Sequence, residues 1–197
     1  MGNENWVSGK INNCLQFDGS NEYVNFEGIA RFERTEPFSV ECWFKTTTSA
    51  VMILLGNRGN AVPQRGWQLS FSNTDLIFLL HSTTGNNIRV HIAGVWNDDI
   101  WHHVIVTYDG SSIASHVKFY VDGSLKSTLI DNDALTGSII STTNTQIAAR
   151  DGANLCYTGF IDEVVIYDKE LSQEEATFRW NEGNGTEDTE EPPTTIR

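Results

Sequence analysis

Residues 101–123, WHHVIVTYDGSSIASHVKFYVDG, admit few folds. Val104, Val106 and Tyr108 fall on alternate positions, and after a polar break Val117, Phe119 and Val121 repeat the spacing, which predicts two strands sharing one apolar face. Asp109-Gly110 opens the connection and Asp122-Gly123 closes the second strand, each pair suited to positive φ. The expectation is a β-hairpin in the middle of a sheet, with the remaining strands built outward from it.

Strands are also predicted at 51–55, 66–71, 76–80, 88–93 and 146–149, separated by turn signals that include Asp131-Asn132-Asp133 and Thr142-Thr143-Asn144. The continuous apolar runs at 51–55 and 76–80 call for burial from both sides. One helix is expected near Leu171, with Ser172 as N-cap and Glu175 completing a capping box ahead of Phe178 and Trp180. Many short strands with frequent turns favour a sandwich.

Four motifs in order carry a resemblance: L-Q-F-D-G-S with Tyr23-Val24, P-F-S-V-E-C-W-F-K from Pro37, the W-H-H-V…T-Y-D-G…F-Y-V-D-G hairpin, and G-F-I-D-E-V-V-I-Y from Gly159. Together they resemble the concanavalin A-like, laminin G-like jelly-roll domains, over residues 9–185. The resemblance implies an all-β, two-sheet antiparallel jelly-roll sandwich with one short C-terminal helix. The domain is expected over 1–185, and the composition of 186–197 reads as an acidic Pro/Thr-rich tail or linker. It also implies a structural Ca2+ at Asp18 and Asp162, hard oxygen ligands at strand ends, each with an alternative use: an Asx-turn for Asp18, backbone amide capping for Asp162. The family commonly carries a further strand and an Asp/Gly/Asn-rich loop ahead of the first motif, where this sequence has only residues 1–8. The family's neighbouring first and last strands make a Cys14–Cys156 bridge conceivable.

A length of 197 residues suits one all-β domain with a substantial core, and the net charge of −13 repels phosphate backbones, so nucleic acid is not an expected partner. Three cysteines make neither a disulfide framework nor a zinc site, and Cys42, alternating with Val40 and Phe44, reads as a buried apolar residue. No window has the apolar length of a membrane span, and Met1-Gly2-Asn3-Glu4-Asn5 has no signal-peptide character.

A glycosidase needs two carboxylates about 5 to 10 Å apart, and no predicted strand shows the Glu-x-Asp or Glu-x-Glu that would aim two into one cleft. His102 and His103 are neighbours in a strand and face opposite sides, so they read as packing residues, and His81, His91 and His116 are isolated. No catalytic residue is assigned. Binding is expected at the loop after the strand at 51–55, through Asn57, Arg58, Asn60, Arg65 and the neighbouring Trp67, and at the turn holding Trp96, since aromatic faces beside Asn, Asp and Arg suit sugar or protein recognition. The function expected is a non-catalytic recognition or adhesion module for glycan or protein, outside the cell or on a phage or viral particle as a decoration or fibre subunit anchored by its tail. The alternatives are a carbohydrate-binding domain excised from a larger secreted bacterial protein, and a glycosidase or polysaccharide lyase.

Overall fold

The computed structural model describes residues 5–187. In chain order the strands are β1 (Trp6–Ser8), β2 (Asn13–Asp18), β3 (Val24–Phe26), β4 (Phe38–Lys45), β5 (Met52–Gly56), β6 (Gly66–Ser72) and β7 (Asp75–Thr83). Then follow β8 (Asn86–Ile92), β9 (His102–Tyr108), β10 (Lys118–Val121), β11 (Ser124–Lys126), β12 (Leu129–Asp133), β13 (Thr145–Ile147), β14 (Thr158–Tyr167) and helix α1 (Gln173–Trp180). They form two antiparallel seven-stranded sheets, ordered β1-β2-β14-β4-β9-β10-β11 and β12-β8-β7-β6-β5-β13-β3.

Alternation of side chains decides what lies between the sheets. Val40, Cys42 and Phe44 of β4 and Val104 and Val106 of β9 face Trp67, Leu69 and Phe71 of β6 and Leu76, Phe78 and Leu80 of β7, all essentially inaccessible. Phe38 sits at the centre of this core, its ring stacked on Phe32 at 4.3 Å and tilted against Trp67 at 5.6 Å and Phe78 at 6.0 Å. Ile77 and Leu79, which face away from the core on β7, are buried as well, which explains the unbroken apolar run.

Two local expectations are corrected. The hairpin of β9 and β10 does not occupy the middle of its sheet: β9 lies beside β4, but the far neighbour of β10 is the three-residue β11. A 3-10 turn at Ala114–His116 occupies the connection, so β10 begins only at Lys118. Asp131-Asn132-Asp133 ends the edge strand β12 rather than forming a turn, with a bulge between Ile130 and Asn132.

The outer face of the first sheet is covered by α1. Ser172 caps the helix as its sequence predicts: its hydroxyl accepts from the Glu175 amide at 3.2 Å, and Glu175 Oε2 accepts from the Ser172 amide at 2.7 Å. Leu171 and Ala176 pack on Ile105 and Tyr120. The Trp180 ring settles over Gly123, whose φ is +73° and whose absent Cβ would lie 2.6 Å from the ring. Past the helix, the Glu187 carbonyl accepts from Arg179 Nη1 at 3.1 Å and its side chain from Asn12 Nδ2 at 2.7 Å, so the end of the described chain lies against the turn before β2.

Candidate ligand-binding face

The expected binding residues separate into two groups. Asn57 is interior: its Oδ1 accepts from the Trp67 amide at 3.1 Å and its Nδ2 donates to the Ala30 carbonyl at 2.8 Å, stapling two loops together. Trp67 is fully buried, with Nε1 donating to the same Ala30 carbonyl. Trp96 is buried edge-on against His102, 5.3 Å between rings. These three positions, expected among the binding residues, lie in the interior instead. The period of two along β6 was the available signal, since Trp67 shares the face of Leu69 and Phe71.

Arg58 and Asn60 are half-buried and Arg65 is exposed at the rim of the loop. The loop folds back over the second sheet because Gly66 permits it: with φ at +133°, its missing Cβ would stand 2.6 Å from the Arg58 Cα. Arg58 thereby lies over the outer face of β6, its Nη2 donating to Gln64 Oε1 at 2.6 Å and its Nη1 reaching Gln68 Oε1 at 3.5 Å. Asn60 accepts from Arg150 Nε at 2.7 Å and, through its amide nitrogen, donates to Asp151 Oδ2 at 2.8 Å.

Beneath the loop lies a polar set that the sequence analysis did not assign. The registers place Gln146 beside Gly56, Gly56 beside Gln68, Gln68 beside Leu79, and Gly66 beside His81, all facing away from the core. Gln68, Ser70 and His81 are buried on this face. Burial, and then the charge of Arg150, bring the Arg58 guanidinium down to about 10, so it stays charged at neutral pH. Burial and the Arg58 charge lower His81, only partly offset by its hydrogen bond to the Gln64 backbone, which keeps the ring neutral.

The first sheet holds a different polar cluster. Glu41, fully buried on β4, accepts from Tyr167 OH at 2.6 Å, from Arg179 Nε at 3.0 Å on both oxygens, and lies 2.9 Å from His103 Nε2. Burial raises the Glu41 carboxyl, but His103, Arg179 and Tyr167 more than offset it and its pKa is lowered. A carboxylate sealed beneath a helix has no path to a substrate, so this cluster is structural. His102, on the opposite side of the strand, bridges Asp122 at 2.9 Å and Asp98 at 3.1 Å.

Asp18 and Asp162 are not brought together. Asp162 Oδ2 accepts from the Lys10 and Ile11 amides, both at 2.9 Å, and Oδ1 from Glu163; Asp18 Oδ1 accepts from Ser20 in a local turn. Among the described residues no three His, Cys, Asp or Glu side chains are arranged to hold a metal ion. The two carboxylates therefore do not join in one Ca2+ site. Cys14 and Cys156 are free thiols directed at different carbonyls, Ser8 and Ser20. A groove of about 670 Å³ opens between the sheet edges, walled mainly by Trp6, Leu15, Val24, Phe26 and Val164.

Two antiparallel sheets over one core, the outer face of one roofed by a helix and that of the other overhung by a polar loop, define a lectin-like jelly roll. A family model described as the Concanavalin A-like lectin/glucanases superfamily matches residues 18–177, and the chain belongs to that superfamily. It is 26% identical over 125 residues to the non-toxic nonhemagglutinin type A of Clostridium botulinum, which covers 60% of this chain and 10% of that protein. The chain thus spans about a tenth of the length of the curated relatives it matches. Among solved structures, the binding domain of Paraclostridial Mosquitocidal Protein 1 superposes with a TM-score of 0.68 at 17% identity, covering 89% of this chain and 45% of that one. The Ruminococcus gnavus sialidase CBM40 bound to α2,3-sialyllactose gives 0.64 at 17% identity, covering 84% and 95%.

Proposed function

We propose that the protein is a non-catalytic recognition module that binds glycan on the outer face of the second sheet, under the 57–65 loop. The observation that carries this is the group of polar side chains, Gln68, Ser70 and His81, held against solvent by that loop on a face that the core does not use. Buried hydrogen-bonding groups set at fixed positions on a rigid sheet are what sugar hydroxyls require. The R. gnavus module, a structural neighbour solved with a bound glycan, supports the reading. The apolar groove at Trp6 offers fewer polar partners, and Asp162 there is already held by backbone amides.

For setting, we propose a binding domain within a larger bacterial protein, supported by the clostridial and ruminococcal relatives. The expected particle anchor, the tail at 186–197, lies outside the described residues beyond Glu187. An oligosaccharide array tests the reading: the wild type and Trp6→Ala are expected to bind the same glycans, and Gln68→Leu to lose them. Absence of binding to every glycan overturns it in favour of protein contact, and release of reducing ends from a bound polysaccharide overturns its non-catalytic part.

A further inference from the structure

Resting on that reading, the geometry points to an acidic sugar as the ligand: we propose that its carboxylate or sulfate lies between Arg58 and Arg150, while a neighbouring hydroxyl hydrogen-bonds with His81 Nδ1.

The two guanidiniums are held in place by neutral side chains, with the Asp151 carboxylate acting on Arg150 only through space. Arg58 makes its hydrogen bonds to the neutral side chains of Gln64 and Gln68, and Arg150 to that of Asn60. Among the described residues neither pairs with a carboxylate, although the chain carries 26 acidic residues against 13 Lys and Arg. Asp151, which follows Arg150 in sequence, directs its Oδ2 to the Asn60 amide. Two partly buried cations within each other's field raise the local potential, and the amide partners fix their orientation while leaving the charge available to an anion.

Two atoms at this site lack partners. Arg58 Nε is a buried donor and His81 Nδ1 a buried nitrogen, and neither meets a hydrogen-bonding group. A neutral imidazole nitrogen gives or takes a hydrogen bond according to its tautomer, so His81 Nδ1 calls for a group able to do either. A ligand that satisfies both brings an anionic acceptor to the arginine and a hydroxyl, which can give or take a hydrogen bond, to the histidine. A sugar bearing a carboxylate or a sulfate ester has both groups within one ring.

The test uses immobilised oligosaccharides in three arms, carboxylated (α2,3-sialyllactose and a uronate disaccharide), sulfated (sulfated lactose) and neutral (lactose). They are probed with the wild-type protein and with Arg58→Gln and Arg150→Gln. Binding is expected in one or both acidic arms, the arm naming the anion, and each variant should weaken it at least tenfold. For the wild type alone, raising NaCl from 50 to 500 mM should weaken acidic-sugar binding several-fold, a readout independent of how the variants fold. Binding confined to neutral sugars, or acidic-sugar binding indifferent to salt and to both substitutions, overturns the acidic ligand and leaves glycan recognition standing. Absence of binding in all three arms overturns both.

Discussion

Arg179 on α1 and Glu41 on β4 face each other across the outer surface of the first sheet, the Arg179 Nε 3.0 Å from each carboxylate oxygen, in a site that water does not reach. Removing one member leaves the other charge buried, at a cost of about 3–5 kcal/mol. Arg179→Met is therefore expected to lower the urea-unfolding free energy by that order. The double variant Glu41→Leu/Arg179→Met should lose less than the sum of the two single losses, and additive losses would refute the coupling.

Glu41 also sets an acid limit. Its pKa is lowered in the folded protein, so the stability it contributes is present above the ordinary carboxyl value of 4.5 and is lost as pH falls through the folded value. Acid unfolding followed by tryptophan fluorescence should show a shallower dependence below pH 4.5 in Glu41→Gln than in the wild type.

His102 acts in the opposite sense. Burial favours its neutral form, but Asp122 and Asp98 more than offset this and raise its pKa above 6.5. Its ion pairs therefore stabilise the fold fully below 6.5 and fade as pH rises through the folded value. His102→Phe is expected to cost about 1–3 kcal/mol at acidic pH and less in the alkaline range. An equal cost at pH 5.5 and 9 would count against the charged histidine.

The loop over the second sheet depends on Gly66. A methyl group there meets the Arg58 Cα at 2.6 Å on a backbone that disfavours L residues. Gly66→Ala should destabilise the protein by about 2 kcal/mol or more and displace Arg58, seen as loss of protection of the 57–65 amides in hydrogen exchange.

Trp67→Ala removes a core side chain and should cost about 3–5 kcal/mol, whereas Arg65→Ala at the exposed rim should change stability by less than about 0.5 kcal/mol. Thermal denaturation separates them, and equal effects would contradict the burial of Trp67.

The strands were legible because each carries its own pattern: Val40, Cys42 and Phe44 alternate with Ser39, Glu41 and Trp43 whatever the rest of the chain does. The helix was legible for the same reason, since the Ser172–Glu175 capping box is local. The meeting of Glu41 with Arg179 was not, because 138 residues separate them and no local pattern marks either as a partner. The candidate face was half legible. Arg58 and Asn60 stand out in a long loop, but Arg150 and His81 join them only through the fold, and Trp67, beside that loop in sequence, alternates with Leu69 and so points inward.

The hydrogen bond from Asn12 to Glu187 places the first and last described segments side by side. With the Leu171 amide donating to Ser39 Oγ at 3.0 Å ahead of α1 and this clasp behind it, the helix is pinned to the first sheet on both sides rather than by its packing alone.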